Sequence, residues 1–218
     1  MDRSSILAHR GWWSDPADRN SPGALTRALA AGFGIETDFR DLDGVLMVSH
    51  DPARSPDGLN DAAWFFGEVI RTGNTGRLAL NIKADGLQDM LVAAMAGAGV
   101  PQGQAYAFDM AVPDALGYLA RGFPAYSRLS EYEATPSFVT RAAGVWVDNF
   151  NGDYPQIDRA IDVMSGGLRA AIVSPELHGR DHHALWDEIA AAGLHENPLF
   201  ELCTDLPQAA FERFGTTP

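Results

Sequence analysis

Two acidic side chains, Glu36 and Asp38, stand two residues apart in the stretch IETDFRDLDGVLMVSHD at positions 35–51. The chain then turns at Asp43-Gly44 and returns to His50. Side chains two positions apart point to the same side of a strand, so both carboxylates would face one place. Two like charges this close in a poorly hydrated pocket stay ionised only with cationic compensation. The spacing therefore predicts a cation site, with a histidine beside it for proton transfer.

Polar residues of matching chemistry end two other predicted strands. The first predicted strand ends in His9 and Arg10, and the third carries Asn81 and Lys83 on one face. Carboxylate, amide and water oxygens are the ligands that Mg²⁺ and Ca²⁺ take. A guanidinium and an ammonium beside them would hold an anion, and phosphate fits both. His9 would then be a second proton-transfer group.

These strands belong to an alternation of strand and helix patterns along the whole chain. The predicted strands cover 4–11, 35–50 (a hairpin), 77–83, 104–110, 123–129, 144–150, 168–174 and 198–204. The predicted helices cover 21–32, 61–73, 85–98, 112–122, 136–143, 155–167, 182–193 and 206–214. Strict alternation implies parallel strands, and eight units close a barrel. The sequence predicts an α/β protein: one (β/α)8 TIM-barrel domain over residues 1–218, with a β-hairpin extension at strand 2.

An open doubly wound sheet is the alternative fold. It needs fewer units and usually has a glycine-rich first turn, and the sequence contains no GxGxxG. In a barrel, catalytic side chains lie at the carboxyl ends of the strands, where the polar residues above are predicted. A flat hairpin with a two-residue turn would pair His50 with Thr37, on the face away from the carboxylates. We therefore expect a bulge or bend after Val48 to redirect His50.

Composition limits the classes of partner and compartment. The chain has 218 residues, 46% of them hydrophobic, and a formal net charge of −13. This acidic balance argues against nucleic acid and against stable binding to an anionic membrane. One cysteine, Cys203, excludes an internal disulfide, and no apolar run approaches the ~20 residues that span a bilayer. A strand beginning near Ser4 leaves no room for a signal peptide, so we expect a cytoplasmic protein that acts on a small molecule.

The motifs follow one another in an order that resembles a known family. They are AHRG at 8–11, NSPGAL at 20–25, IETDFRDLDGVLMVSHD at 35–51, LNIK at 80–83 and CTDLP at 203–207. Together they resemble the glycerophosphodiester phosphodiesterases, which belong to the phospholipase-C-like phosphodiesterase barrels. HRG alone would be a weak signal, whereas HRG, ExD and HD in this order and spacing are specific. The resemblance spans nearly the whole chain.

The resemblance implies a role for each residue that matches the family pattern. His9 and His50 would be the catalytic acid and base, and Arg10 and Lys83 would bind the phosphate. The metal ligands, for Mg²⁺ or Ca²⁺, would be Glu36, Asp38 and the residue at position 81. The family usually has an acidic ligand where this chain has Asn81, and an amide oxygen removes one negative charge.

Three carboxylates near predicted strand ends are candidates to compensate for Asn81. They are Glu131, Asp148 and Glu176, of which the last two are additional site candidates. The tract SPELHGRDHH at 174–183 also differs from what the family leads us to expect. Through Glu176, His178 or Arg180 it would recognise a substrate head group.

The sequence thus predicts a metal-dependent phosphodiesterase that hydrolyses a soluble glycerophosphodiester to glycerol phosphate and an alcohol. Two alternatives remain open. One is a pseudoenzyme that binds a phosphodiester or sugar phosphate without turnover; Asn81 motivates it, and the retained pair His9 and His50 argues against it. The other is a phospholipase-D-like enzyme that releases a cyclic phosphate. The sequence indicates neither the head group nor an oligomeric state.

Overall fold

The computed structural model describes residues 1–215, and its centre is a ring of eight parallel strands. In chain order the strands are β1 (Ile6–His9), β2 (Gly34–Leu42), β3 (Val45–Val48), β4 (Asn60–Asp61), β5 (Leu78–Ile82), β6 (Ala105–Phe108), β7 (Tyr126–Leu129), β8 (Gly144–Val147), β9 (Arg169–Val173) and β10 (Phe200–Thr204). Strands β3 and β4 form an antiparallel extension on β2, outside the ring.

The ring closes through parallel pairs in the order β1, β2, β5, β6, β7, β8, β9, β10 and back to β1. Between β6 and β7 the join is a single parallel bridge from Ala107 to Ala125. The predicted α/β barrel of eight parallel strands with a hairpin extension at its second strand is confirmed.

Helices cover the outside of the ring. They are α1 (Pro22–Ala30), α2 (Ala62–Thr72), α3 (Gln88–Ala98), α4 (Val112–Ala120), α5 (Gln156–Ser165), α6 (His183–Ala191) and α7 (Pro207–Phe214). Within residues 1–215, none of the helices is both long enough and apolar enough to cross a bilayer.

The prediction of a helix over 136–143 is wrong. Phe138 has φ 41°, a left-handed conformation that interrupts an α-helix. The backbone N–H groups of Arg141 and Ala142 both donate to the Phe138 carbonyl, so the segment makes one turn and stops. Eight residues without strong packing are too few to sustain a helix. One barrel position, between β7 and β8, therefore has a turn in place of its helix.

Alternation along the strands separates two apolar cores. The first core lies between the strand ring and the helices, and it includes Ile35 and Phe39 of β2. Inside the ring a second core consists of Leu7, Ala79, Tyr106, Phe108, Tyr126, Trp146, Ala171, Val173 and Cys203. Because alternate residues face opposite sides, Glu36 and Asp38 lie on the inner face, as predicted. In the inner core the ring centroids of Phe108 and Trp146 lie 4.0 Å apart in a stacked arrangement.

A buried ionic network closes the other end of the barrel interior. Glu201 on β10 is fully buried and accepts hydrogen bonds from the hydroxyls of Tyr106 at 3.1 Å and Tyr126 at 3.2 Å. Arg77 Nε lies 3.2 Å from the same carboxylate, and Arg169 Nη1 lies 3.4 Å from it. Burial, and the Glu201 charge after it, raise the pKa of Tyr106 well above its usual value, so the phenol stays a donor.

We expect Glu201→Gln to lower the free energy of unfolding by about 2 kcal/mol, because the substitution leaves the partly exposed guanidinium groups of Arg77 and Arg169 without the counter-charge of a buried carboxylate. Denaturant titration of the variant and the wild-type protein measures the difference. Glu212→Gln, on the exposed face of α7, is the matched control and should change the value by less than ~0.5 kcal/mol. Equal midpoints for all three proteins would contradict the network's role.

The hairpin extension delivers His50 to the carboxyl end of the barrel. Its two-residue turn, Asp43-Gly44, has φ 50° and 80°, as a type I′ turn requires. Strand β3 ends at Val48, and the chain bends at His50. The Ser49 N–H still donates to the Asp38 carbonyl at 3.0 Å, which ties the hairpin to β2. The bend expected after Val48 is present.

Candidate functional site

The carboxyl ends of β1, β2 and β5 bring the predicted polar residues together. Register pairs His9 with Glu36 across β1 and β2, and Asp38 with Asn81 across β2 and β5. Glu36, Asp38 and Asn81 are all buried. The Asn81 amide donates to Glu36 Oε1 at 3.1 Å, and His9 Nε2 lies 3.9 Å from Glu36 Oε2. These side chains therefore form one cluster.

Asp38 is the anionic centre of this cluster. Arg10 Nε lies 3.0 Å from its Oδ2, and Lys83 Nζ lies 3.6 Å from its Oδ1. The Asn20 amide donates to Oδ2 at 2.9 Å and its carbonyl oxygen accepts from Thr37 at 2.8 Å. Asn20 begins the NSPGAL motif, but no chemical role could be read for it from the sequence. Arg10 and Asn20 both have positive φ, 56° and 60°, which turns their side chains toward Asp38.

Three buried oxygens in the cluster have no hydrogen-bond partner within residues 1–215. They are Glu36 Oε2, Asp38 Oδ1 and Asn81 Oδ1, one from each predicted metal ligand. Buried polar atoms are almost always satisfied, so three neighbouring exceptions need an explanation. Two carboxylate oxygens and one amide oxygen match the donors preferred by a hard divalent cation. Among the described residues, no group of three or more His, Cys, Asp or Glu side chains is placed to hold a metal. The set here has two carboxylates and one amide.

Burial and charge oppose each other at Glu36. Burial, and the neighbouring Asp38 charge after it, raise the pKa of Glu36 to about 6. His9, Arg10 and Lys83 act in the opposite direction and favour the ionised form. At neutral pH the carboxylate is therefore mostly ionised, at an energetic cost that a cation beside it would relieve.

His9 is oriented by a carboxylate from the last strand. Its Nδ1 lies 2.6 Å from Asp205 Oδ1, and Arg19 Nη2 donates to Asp205 Oδ2 at 3.0 Å. This leaves Nε2 directed to the side of Glu36. Asp205 is the acid of the CTDLP motif, which was noted in the sequence without a role for it. Glu176 accepts from the Asp205 N–H at 3.1 Å and from the Thr204 hydroxyl, so it positions the Asp205 loop.

His50 lies at the edge of the cluster rather than within it. Its side chain is 44% exposed, and its Nδ1 lies 2.8 Å from Asp51 Oδ1, which leaves Nε2 free to exchange a proton. Together with Arg10, Asn20 and Asn60 it lines a cavity of about 300 Å³. The hairpin therefore places His50 next to Arg10, the guanidinium that the sequence predicts to bind phosphate.

The remaining candidates lie at the ends of β7, β8 and β9. Asp148 is buried, and its Oδ1 lies 2.7 Å from His178 Nε2. Arg180 donates to the Asn149 carbonyl, and Glu131 Oε1 accepts from the Asn151 N–H at 2.6 Å. Neither Asp148 nor Glu176 contacts the Asn81 amide among the described hydrogen bonds. The structure thus places Asp148 and His178 together, without a described hydrogen bond to Glu36 or Asp38.

A chain of ion pairs connects the two halves of the barrel mouth. Lys83 Nζ donates to Asp109 Oδ2 at 3.3 Å, Arg128 contacts the other Asp109 oxygen, and Arg128 also contacts Glu133. Asp109, Arg128 and Glu133 were missed in the sequence. Asp109 and Arg128 are each the second-last residue of a predicted strand, 104–110 and 123–129, and that position was the signal that could have indicated them.

Comparison with solved structures finds this fold in several proteins, among them three from different organisms. A glycerophosphodiester phosphodiesterase from Parabacteroides distasonis superposes with TM-score 0.74 and 17% identity, over 97% of this chain and 96% of that one. A putative one from Galdieria sulphuraria gives 0.75 and 15%, over 97% and 98%. An Oleispira antarctica phosphodiesterase, in complex with the product sn-glycerol-3-phosphate, gives 0.70 and 16%, over 97% of both chains.

No protein-family model and no curated protein matches the chain. The likeness to the three structures extends over nearly the full length of each chain, and it shows that the barrel described above is their fold. It agrees with the resemblance drawn from the sequence motifs.

Proposed function

We propose that this protein is a glycerophosphodiester phosphodiesterase, a phosphoric diester hydrolase that needs a divalent cation and uses histidines for acid and base catalysis. The observation that carries the proposal is the set of three unpartnered buried oxygens on Glu36, Asp38 and Asn81, beside an oriented His9. The fold of the solved phosphodiesterases supports it, as does the glycerol phosphate bound in one of them.

Glu36, Asp38 and Asn81 would hold Mg²⁺ or Ca²⁺ through those oxygens. A cation there would offset negative charge as it develops on the phosphoryl oxygens. Arg10 and Lys83, now paired with Asp38, provide N–H donors for the same phosphate. A guanidinium suits two phosphate oxygens at once, whereas the ammonium acts as a point charge.

His9 and His50 carry the proton transfers in this proposal. Each has Nδ1 on a carboxylate, Asp205 and Asp51 respectively, so each presents Nε2 to the reaction. One takes the proton from the attacking hydroxyl, and the other gives a proton to the leaving alkoxide. The attacking hydroxyl is that of water or of the substrate itself, and the second case passes through a cyclic phosphate.

A binding protein has no need of a histidine held by a buried carboxylate, so the His9–Asp205 pair favours an enzyme. Phosphorus NMR of a panel of glycerophosphodiesters, with Mg²⁺ or Ca²⁺ present, tests this. We expect a glycerol phosphate monoester to appear. Accumulation of cyclic phosphate as the end product would indicate the phospholipase-D-like reaction, and absence of turnover for every diester would refute the proposal.

Asp205→Asn should lower kcat by about 100-fold with little change in KM, because the amide holds His9 in place less strongly and does not stabilise its charged form. Steady-state kinetics on the best diester of the panel measures both constants. Asp89→Asn, which removes a surface partner of Arg121, is the matched control and should leave both unchanged. A KM that rises while kcat holds would instead assign Asp205 to substrate binding.

Asn81→Asp should restore a third carboxylate and tighten the cation site. Without metal the variant should melt at a lower temperature, because it loses the hydrogen bond to Glu36 and adds a buried like charge. With saturating Mg²⁺ or Ca²⁺ its melting temperature should rise more than that of the wild-type protein. Thermal melting with metal and with EDTA measures both shifts. An identical metal-induced shift in the two proteins would exclude position 81 from the cation site.

A further inference from the structure

Two side chains of the loop after β1 contact both members of the His9–Asp205 pair. Trp13 Nε1 donates to the His9 carbonyl at 2.9 Å, and Arg19 Nη2 donates to Asp205 Oδ2 at 3.0 Å. The Arg19 guanidinium lies over the Trp13 ring, 4.5 Å from its centroid. The backbone of His9 and the carboxylate that holds its ring are therefore attached to the same stacked pair.

The conformation of the loop explains how Trp13 reaches back to His9. Arg10 and Gly11 have φ 56° and 92°, so two successive left-handed residues bend the chain directly after β1. A Cβ on Gly11 would lie 2.7 Å from the Ala24 carbonyl carbon, so a larger residue there would displace α1. The bend leaves the Trp13 indole N–H at the end of β1, where it donates to the His9 carbonyl.

A short 3-10 turn at Pro16–Asp18 fixes the backbone of Arg19. The Asp15 side chain accepts from the Ala17 N–H at 2.9 Å and begins the turn. The Arg19 N–H donates to the Pro16 carbonyl at 3.3 Å and ends it. The Arg19 side chain is 33% exposed, so a shorter side chain at this position leaves the core intact.

The Asp205 carboxylate needs a partner for each oxygen because it is buried. Its side chain is only 7% exposed, and its Oδ1 lies at His9 Nδ1. Within residues 1–215, Arg19 provides the one hydrogen bond to Oδ2. Glu176 accepts from the Asp205 N–H and so holds the backbone, but it does not hold the carboxylate. Arg19 is therefore the group that fixes the plane of the carboxylate, through a charge-assisted hydrogen bond.

We propose that Arg19 is a positioning residue for the phosphodiesterase reaction, and that it acts through Asp205 on His9. This inference rests on the proposed function. A carboxylate held at both oxygens cannot rotate, so the His9 ring keeps the orientation that directs Nε2 to the side of Glu36. The Trp13 ring keeps the guanidinium in place by a cation–π contact, which suits the flat face of an arginine.

Steady-state kinetics of a double-mutant cycle tests whether Arg19 acts through Asp205. Arg19→Gln should lower kcat by about 10-fold and leave KM unchanged, because the carboxylate loses one of its two partners. In the Asp205→Asn background the same substitution should cost less than about 2-fold, since the group through which Arg19 acts is already gone. Arg213→Gln, which removes a surface ion pair with Asp187, is the matched control and should leave both constants unchanged.

Wild-type kcat in Arg19→Gln would overturn the inference, and so would an equal loss of kcat in both backgrounds. Arg19 also lines the cavity of about 300 Å³ that contains Arg10 and His50. A KM that rises while kcat holds would therefore show that Arg19 binds the substrate directly, and it too would refute the positioning role. Melting temperatures establish that the variants are folded.

Failure of the proposed function is separable, because it shows as no turnover of any diester by the wild-type protein. In that case proton–carbon NMR of the histidine rings decides, with the His9 signal identified by its loss in His9→Ala. The signal should broaden in Arg19→Gln, because the ring no longer keeps one orientation, and it should stay sharp in Arg213→Gln. An unchanged His9 signal in Arg19→Gln would refute the positioning role.

Discussion

His9→Ala is expected to lower kcat by about 1,000-fold on any glycerophosphodiester that the wild-type protein turns over. The imidazole is held by Asp205 at 2.6 Å through Nδ1, so in the proposed mechanism its Nε2 transfers the proton, and alanine removes that atom. KM should change little, because Arg10 and Lys83 hold the phosphate. Steady-state kinetics followed by phosphorus NMR measures both constants. His50→Ala should show a loss of the same kind, since the proposed mechanism uses one histidine as the base and the other as the acid.

The control for this prediction is His183→Ala. His183 is an exposed residue at the start of α6, where its ring stacks on His182 and its Nδ1 lies 3.0 Å from Asp181 Oδ1. It should keep wild-type kinetics. Melting temperatures of all the variants establish that they are folded. Near-normal kcat in a folded His9→Ala protein would remove His9 from the reaction, and the same result for His50→Ala would remove His50.

Glu36→Gln is expected to lower kcat/KM by about 1,000-fold and to remove most of the stabilisation by metal. The substitution takes away one charged oxygen ligand while preserving the volume of the side chain. Two buried like charges also become one, so the metal-free variant should melt at a higher temperature than the metal-free wild-type protein. A higher metal-free melting temperature together with a lower kcat/KM is the result expected for a carboxylate whose role is to bind a cation.

Kinetics over a range of Mg²⁺ and Ca²⁺ concentrations, together with melting curves in EDTA, test both parts. Glu68→Gln serves as a control, because Glu68 pairs with Arg71 on α2 away from the cluster. A Glu36→Gln protein with unchanged metal response would show that the unpartnered oxygens have another purpose.

Much of the fold could be predicted from the sequence, because each strand of the barrel shows the same local pattern of apolar residues. Apolar alternation located all eight ring strands, and the Asp43-Gly44 turn identified the hairpin. The helix over 136–143 was predicted wrongly because its composition is compatible with a helix. Phe138 has a positive φ in the segment that crosses from β7 to β8. Local propensity contains no information about that crossing.

Part of the candidate site could likewise be predicted from the sequence, and part could not. Glu36, Asp38, Asn81 and Lys83 could be predicted to meet because neighbouring parallel strands align their carboxyl ends. The Asp205–His9 contact joins residues 196 positions apart, across the closure of the ring between β10 and β1. The Lys83–Asp109–Arg128 chain depends on side chains reaching across strand ends. Neither arrangement can be predicted from spacing along the chain, so both became visible only in the three-dimensional structure.

The most direct test of a cation-dependent phosphodiesterase is turnover of one glycerophosphodiester before and after removal of metal. The wild-type protein is dialysed against EDTA, and phosphorus NMR follows the diester before and after Mg²⁺ or Ca²⁺ is added back. We predict that no monoester forms in EDTA and that glycerol phosphate appears once metal returns. Full turnover in EDTA, or none under either condition, would contradict the proposed function.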